Sequence, residues 1–403
     1  MPTARTVLSI GATQTLAWAS SYYLPAVLAE PMSSSLGVSY ASVFLAFSCA
    51  LGLSAFLGPS FGRAVDHWGG HRILPMSNLI FGLGLVALGL AQQPLHLWAA
   101  WLIMGIAMAC GLYESAFASL VRLFGQAARS PITGVTLIAG FASTVGWPVS
   151  AWIESEWSWR EACFFWAALH LLLGLPLNAR LPKDLTKPDS QSTSESGASP
   201  TAGEAPKASI SQVVIVSFVF AVSAFISTAL AAHWPRLLEA LGLPLVTAVT
   251  LGVLIGPSQV AARILEYGFL RKTHPMVSAK LATMSHPIGA GLMLTMGPVA
   301  APIFALMHGA GNGIMTIVKG SLPLALFGPK GYGARQGWIM MPARISAAAA
   351  PWLFGLALSQ LGAKAIYITL ALGALASWLL FAAAQHAPSA PSNDPPDSSR
   401  SPG

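Results

Sequence analysis

The stretch GRAVDHWGGHR at residues 62–72 joins two long apolar runs, 40–61 and 73–91. It carries one acid, two arginines and two histidines, whereas only 9% of the whole chain is charged. A typical soluble domain is about 25% charged. Charges this dense between two apolar runs of membrane length predict a loop at a membrane surface.

The two neighbouring runs belong to a set of twelve. A spanning helix needs about 20 apolar residues, because the hydrocarbon core is about 30 Å thick and a helix rises about 1.5 Å per residue. The sequence therefore predicts an all-α integral membrane protein with twelve transmembrane helices. We place them at 7–30, 40–61, 73–91, 95–120, 131–153, 161–178, 211–234, 244–265, 279–298, 300–325, 336–358 and 363–384.

Lysine and arginine predict which loops face the cytoplasm. With the N-terminus inside, sixteen of the 21 Lys and Arg residues fall on the cytoplasmic side, three fall outside and two fall within spans. This split predicts a multi-pass plasma-membrane protein, of the inner membrane in a bacterium, with both termini in the cytoplasm. The positive charge then faces the anionic inner leaflet, and we expect no nucleic-acid partner.

Two segments have a different composition from the spans. Residues 181–210 and 387–403 are rich in Ser and Pro and have few apolar residues to bury, which predicts a disordered cytoplasmic linker and tail. They divide the chain into an N-terminal six-helix bundle at 1–180 and a C-terminal one at 211–386.

The two halves share weak internal repeats. Arg63 and Asp66 correspond to Arg263 and Glu266 at an offset of 200 residues, and Leu123-Phe124-Gly125 corresponds to Leu326-Phe327-Gly328 at an offset of 203. Together with the central linker, these pairs indicate two related bundles.

The 62–72 stretch resembles the G-x-x-x-D-R-x-G-R-R loop between the second and third helices of the major facilitator superfamily. Gly62, Asp66, Gly69 and Arg72 match it, whereas His67 stands where an arginine is usual. The segment from Trp159 to Phe164 resembles the W-R-x-x-F entry to the sixth helix. The resemblance implies a transporter of two pseudo-symmetric six-helix bundles, for which a monomer is sufficient. In that family the loop is a cytoplasmic latch.

The candidate gating residues follow from this resemblance and from the repeat. Asp66 would approach the N-terminus of a neighbouring helix, or an arginine such as Arg129, in only one state of the transporter. Anchoring by positive charge on the inside is the alternative, although an anchor needs no acid. The set is Gly62, Arg63, Asp66, Gly69 and Arg72, with Arg263 and Glu266 as the second-half equivalents.

Three charged residues lie well inside predicted spans: Glu114, Lys319 and Arg344. A charge at mid-membrane is costly, so it usually faces a cavity or a partner. By the resemblance, the fourth, tenth and eleventh helices surround one cavity. We expect Arg344 and Lys319 to hold an anionic substrate group and Glu114 to couple protons. The alternative is a permanent structural pair of Glu114 and Lys319.

Two polar faces are candidate cavity walls. Gln14, Trp18 and Tyr22 follow one stripe of the first span, and Asn312 lies on the same face of the tenth span as Lys319. Packing between helices is the alternative for both. His286 and His308 also fall within spans, where they either relay protons or pack.

The motifs exclude several kinds of chemistry. No Cys/His cluster has zinc spacing, and the chain has no phosphate-binding G-x-x-x-x-G-K-[ST] sequence, so we expect neither a metal nor a cofactor. Cys49, Cys110 and Cys163 lie in different spans and predict no disulfide scaffold. No clustered nucleophile or His/Asp site indicates a membrane enzyme.

The sequence predicts a secondary transporter that moves a small organic anion together with protons. A looser resemblance to monocarboxylate and oxalate/formate-type members favours this function. The alternative is a multidrug or metabolite exporter, although the fourth span lacks the arginine and the fifth span the G-P-x-x-G-G motif that are usual there. A membrane sensor that does not transport is a third possibility, which the absence of a signalling domain disfavours.

Overall fold

The computed structural model describes residues 2–183 and 210–385, and these residues form helices and short connections without strands. The predicted tail and nearly all of the predicted linker lie outside the described residues. The α-helices of the first part are α1 (Pro2–Ser20), α2 (Pro25–Leu36), α3 (Tyr40–Trp68), α4 (Gly70–Gly89), α5 (Pro94–Gly111), α6 (Tyr113–Phe124), α7 (Arg129–Ala139), α8 (Ala142–Glu156), α9 (Trp159–Leu169) and α10 (Leu175–Ala179).

The second part begins after residue 209. Its α-helices are α11 (Ile210–Ala240), α12 (Leu245–Gly252), α13 (Ile255–Leu265), α14 (Pro275–Met296), α15 (Ala301–Phe327), α16 (Tyr332–Leu361) and α17 (Ile366–Gln385). Single π-helical turns follow α9 at His170–Gly174 and α13 at Glu266–Leu270.

Eight helical stretches of the described residues are long and apolar enough to cross a membrane. Three of them exceed 50 residues, because 3-10 turns or short breaks join successive helices: Pro94–Glu156, Pro275–Phe327 and Tyr332–Ala382. The all-α membrane fold is confirmed, while the count of twelve spans stays a prediction.

Several predicted spans are interrupted. The first is two helices, α1 and α2, and the fourth breaks at Leu112, whose backbone is extended. The fifth divides into α7 and α8. Such breaks expose helix ends inside the fold, where polar side chains can reach backbone groups.

The buried apolar side chains form separate cores. One cluster lies within residues 16–167 and another within residues 216–380. A third surrounds α6 and takes in Leu324 and Tyr332 from the second part of the chain. This distribution supports our proposed division into two bundles that meet around α6.

Candidate functional site

Glu114 occupies the first turn of α6, because the chain breaks at Leu112 and a new helix begins at Tyr113. Unpaired N–H groups and the helix dipole make such a position favourable for a carboxylate. On the other side of the break, the Gln14 Nε2 atom donates to the carbonyl of Gly111 at 2.6 Å. A polar residue of α1 thus stabilises the break that positions Glu114.

Arg344 of α16 binds Glu114 and joins the two parts of the chain. Its guanidinium forms an ion pair with the Glu114 carboxylate, in which Nε lies 3.3 Å from Oε1. It also donates to the carbonyl and hydroxyl oxygens of Ser54 on α3, at 2.8 and 3.0 Å. The Glu114 side chain is 16% exposed and the Arg344 side chain is 13% exposed, so the pair is largely but not fully enclosed.

Lys319 lies on α15 close enough to interact electrostatically with Glu114. Among the described residues, its ammonium has no hydrogen bond or ion pair, although its carbonyl accepts from Gln336 at 2.8 Å. The predicted alternative, a permanent pair of Glu114 and Lys319, is therefore not what the structure contains: Arg344 takes that place because its longer planar group reaches both carboxylate oxygens.

Arg263 is placed differently from the expectation. The sequence grouped it with Glu266 as a cytoplasmic gating residue near the end of the predicted span 244–265, but α13 and the π-helical turn continue this helix to Leu270, and Arg263 lies inside the fold and is 6% exposed. Its guanidinium lies 3.3 Å from the carbonyl of Thr136 on α7 and 3.4 Å from the Thr316 hydroxyl on α15. It therefore bridges the two parts of the chain without a carboxylate partner among the described residues.

The predicted polar face of α1 lies beside the helix turn that carries Glu114. The Trp18 ring is 5.2 Å from the ring of Tyr22 and 4.9 Å from that of Tyr113, the residue before Glu114. The Trp18 indole nitrogen and the Gln14 Oε1 atom are buried and have no hydrogen-bond partner among the described residues. Gln14 is only 1% exposed, and its amide nitrogen is used in the hydrogen bond to the Gly111 carbonyl.

Asn312 is half-buried on α15, one turn before Thr316. Its amide nitrogen lies 3.0 Å from His308 Nε2, and its carbonyl accepts from the Thr316 hydroxyl at 2.9 Å. Asn312 is thus connected to Arg263 through Thr316.

Asp66 contacts the N-terminus of α16. Its two carboxylate oxygens each accept a backbone N–H, from Gly333 and from Ala334, both at 2.8 Å. This is the helix-terminus contact that the sequence predicted as one of two possibilities, since it satisfies two N–H groups that have no partner within the helix.

The 62–72 stretch is helical rather than a loop. The helix α3 continues to Trp68, and only Gly69, at a φ of 83°, separates it from α4. A positive φ is unfavourable for other residues, which explains a glycine here. Arg122 of α6 donates to the carbonyls of Val65 and Asp66 at the end of α3.

The remaining predicted gating residues divide into packed and exposed ones. Gly62 is buried, and a Cβ there would overlap the carbonyl of Gly333. Arg63 is exposed and donates to Ser60 at 3.1 Å. Arg72 is exposed.

Glu266 binds Arg129, not the Arg263 with which the sequence grouped it. The Arg129 Nη2 atom donates to Glu266 Oε1 at 2.8 Å, and the same oxygen accepts from the Ser278 hydroxyl at 3.0 Å. Arg129 is the first residue of α7 and also donates to the carbonyls of Leu270 and Thr273.

The two acidic contacts are equivalent in position. Asp66 and Glu266 are 200 residues apart, and each reaches the first turn of a helix in the other part of the chain, α16 and α7 respectively. The first residues of those helices, Arg129 and Tyr332, are 203 residues apart. The repeat offset is the signal that could have assigned Arg129 to Glu266.

Ser54 and Tyr113 are site neighbours that the sequence analysis did not single out. Ser54 is one of many small residues on α3, so no pattern marks it. Tyr113 could have been noticed as the aromatic residue next to a buried acid.

The described residues contain no group of three or more His, Cys, Asp or Glu side chains that could hold a metal ion. The three cysteines are free thiols.

Solved transporters share this architecture. The human organic anion transporter MFSD10 (TETRAN) superposes with a TM-score of 0.72 and 14% identity, over 94% of this chain and 100% of that one. The proton:xylose symporter XylE, solved with 6-bromo-6-deoxy-D-glucose, gives a TM-score of 0.72 and 14% identity, over 94% and 96%.

Residues 10–315 of the sequence also match the family model of the Major Facilitator Superfamily. The protein is therefore a multi-pass membrane transporter of small molecules and not an enzyme. This chain belongs to the Major Facilitator Superfamily.

Proposed function

We propose that this transporter carries a small organic anion together with protons by alternating access. The observation that carries the proposal is the charge of the central group, by which we mean Glu114, Arg344, Lys319 and Arg263. Arg344 pairs with Glu114, Lys319 lies near the same carboxylate, and Arg263 lies near Tyr113, the residue before Glu114. Glu114 is the one carboxylate that pairs within this group among the described residues. A surplus of enclosed positive charge is stabilised by an anionic ligand.

Arg344 is the proposed anchor of the substrate carboxylate. A guanidinium can bond both oxygens of a carboxylate, as it does with Glu114. Lys319 lies near the same carboxylate without a hydrogen bond of its own, so its ammonium is available to the substrate. Arg263, held at Thr136 and Thr316, provides a second guanidinium for an anionic group of the substrate.

Glu114 is the proposed proton-coupling residue. An arriving carboxylate competes with Glu114 for Arg344. Once it is displaced, Glu114 loses the cation that stabilises its ionised form and takes up a proton. Substrate binding and proton binding are then linked, and the anion and the proton cross the membrane together.

The wall beside these charges is aromatic. The Trp18 ring lies 5.2 Å from that of Tyr22 and 4.9 Å from that of Tyr113, and the Trp18 indole N–H has no acceptor among the described residues. We infer that this wall contacts the carbon body of the substrate and that the indole donates to it.

Movement of the two proposed bundles is controlled by the two equivalent acidic contacts. Asp66 with α16 and Glu266 with Arg129 join the parts of the chain on what we propose is the cytoplasmic side. Breaking both opens that side, as in other two-state transporters. Cytoplasmic termini, the inner or plasma membrane and a monomeric state complete the proposal.

A thermal-shift screen tests the substrate class. The purified protein is heated with lactate, oxalate, succinate or phosphate, and with xylose as an uncharged control, at about pH 5.5 and 7.5. We expect at least one anion to raise the unfolding temperature, and we expect Arg344→Gln to abolish the shift. Arg63→Gln is the matched control, because Arg63 is exposed and, among the described residues, its guanidinium hydrogen-bonds only to Ser60. Stabilisation by xylose alone, or an unchanged shift in Arg344→Gln, would overturn the anion assignment.

A further inference from the structure

Two buried histidines of α14 and α15 face each other. His286 and His308 are 1% and 2% exposed, and their Nδ1 atoms lie 3.2 Å apart. One hydrogen bond can form between two Nδ1 atoms only if one carries a proton and the other accepts it. Of the two Nδ1 atoms, therefore, only one carries a proton.

Asn312 decides the direction of this hydrogen bond. Its Nδ2 atom, which can only donate, lies 3.0 Å from His308 Nε2. His308 then carries its proton on Nδ1 and donates it to His286 Nδ1. The proton of His286 is left on Nε2, which is buried and has no hydrogen-bond partner among the described residues. Burying an unpaired N–H is costly.

A histidine that only packs is arranged differently in this same protein. His170 is fully buried, yet Asn78 Oδ1 lies 2.9 Å from its Nδ1 and the Ser20 hydroxyl lies 2.8 Å from its Nε2. Both nitrogens are satisfied, and one tautomer is fixed. In the pair of His286 and His308, by contrast, His286 Nε2 has no hydrogen-bond partner among the described residues.

The pair is connected to the central charged group. Asn312 is half-buried, and its backbone carbonyl accepts from the Thr316 hydroxyl, which in turn lies 3.4 Å from the Arg263 guanidinium. Arg263 is thus linked to the backbone of the residue whose side-chain amide contacts His308.

We propose that His286, His308 and Asn312 form a second proton-binding site, separate from Glu114. The incoming proton binds to His308 Nε2. The Asn312 amide rotates so that its Oδ1 accepts this new N–H, while His308 Nδ1–H still donates to His286. One proton is added, and the charge of the pair rises by one.

The charges around the pair determine when the proton binds. On α13, Arg263 contacts the Thr316 hydroxyl that donates to the Asn312 backbone carbonyl, and on α15 Lys319 lies about two turns beyond Asn312. The acids Glu114 and Glu266 bind Arg344 and Arg129. The other charged or titratable side chains of α11 and α14 are His233, which lies at the carbonyl of Pro351, the exposed Arg236 and Glu239, and Lys280, which lies over Phe381.

Arg263, which contacts Thr316, and Lys319 have no carboxylate bound to them among the described residues. A positive charge on His308 is disfavoured while the central group is empty and favoured once an anion lies beside Arg263. This coupling of His308 protonation to anion binding rests on the proposed anion transport, whereas the proton site itself does not.

Nitrogen NMR of histidine rings tests the site without any ligand. The full-length protein is labelled with ¹⁵N-histidine in liposomes, and His286→Gln and His308→Gln assign the two rings. At about pH 8 we expect two neutral rings of opposite tautomer, with the proton of His308 on Nδ1 and that of His286 on Nε2. On acidification to about pH 5, one ring should become an imidazolium reversibly.

The controls separate proton binding from packing. His170→Gln should leave both signals unchanged, and Asn312→Leu should lower the pH at which the imidazolium forms, because the rotated amide no longer accepts its N–H. Two rings that stay neutral throughout, or that share one tautomer, would overturn the proposal.

Oxalate, lactate and phosphate then test the coupling. At saturation, an anion that stabilises the protein should move imidazolium formation to higher pH, and Arg263→Gln should cancel this shift. A stabilising anion that leaves the titration unmoved would refute the coupling. If no anion stabilises the protein, the proposed substrate class fails, yet the ligand-free titration still decides the proton site.

Discussion

The carboxylate of Glu114 and the guanidinium of Arg344 form an ion pair between α6 and α16, 230 residues apart in the chain. It is the contact on which the proposed coupling of anion and proton depends, because a substrate carboxylate can replace only one side of it.

Replacing Glu114 by Gln keeps the shape of the side chain and removes its charge. Arg344 then loses a charge-assisted partner, worth about 1.5–3 kcal/mol. We expect the initial rate of uptake driven by a pH gradient to fall by about ten- to hundredfold, since a factor of ten corresponds to about 1.4 kcal/mol. Anion binding in the thermal-shift assay should persist. Proteoliposome uptake with an imposed pH gradient measures the rate, and an unchanged rate would remove Glu114 from the coupling.

The contact of Asp66 with α16 should hold one conformational state. Asp66→Asn weakens two hydrogen bonds from backbone N–H groups, so the first turn of α16 should exchange its amide hydrogens faster. Glu266→Gln should do the same for the segment around Thr273. Hydrogen-exchange mass spectrometry of both regions measures the effect.

Arg63→Gln serves as the control, because Arg63 lies in the same stretch and its guanidinium hydrogen-bonds only to Ser60 among the described residues. We expect transport to slow in Asp66→Asn while anion affinity changes by less than about threefold. Loss of affinity equal to the loss of rate would show that Asp66 is not a latch.

Close packing of α3 against α16 should be sensitive to one methyl group. A Cβ at Gly62 would overlap the carbonyl of Gly333. A Cβ at Gly58, one turn earlier on the same helix, would have no atom of a neighbouring helix within 4 Å. Gly62→Ala should therefore disfavour the state in which these helices touch, and Gly58→Ala should not. Faster amide exchange at the start of α16 in the first variant only is the expected result. Equal behaviour of the two variants would contradict this packing.

His274, in the connection before α14, should make stability depend on pH. Partial burial, and secondarily the nearby Arg129 cation, lower the pKa of His274 below its usual value. The unfolded chain therefore binds this proton first as the pH falls below about 6.5, and folding stability decreases from there until the lowered pKa of the folded state is passed.

The His274 ring also accepts the N–H of Met276, an interaction that protonation removes. His274→Asn retains a side chain that can accept this N–H but does not titrate. Thermal unfolding at about pH 7.5 and 5.5 should show a smaller decrease for His274→Asn than for the natural chain. An identical decrease in both would assign the pH dependence to other groups.

Much of the architecture could be predicted because it depends on local composition. Runs of about 20 apolar residues identify membrane helices without knowledge of their neighbours. Helix breaks such as that at Leu112 were not predictable, since the partner that satisfies the freed carbonyl of Gly111 is Gln14, 97 residues away. The same reason explains why the 62–72 stretch is helical rather than the predicted loop: Asp66 finds its partners on α16, and Arg122 of α6 donates to the carbonyls at the end of α3.

By itself, the sequence determined that this chain is an all-helical membrane protein of a transporter family, and it identified Glu114, Lys319 and Arg344 as the charges that need an explanation. Only the tertiary structure decided that Glu114 binds Arg344 rather than Lys319, that Glu266 binds Arg129 and that Arg263 lies inside the fold. Apolar length and charge are properties of single segments, whereas the partner of a buried charge depends on which helices pack together.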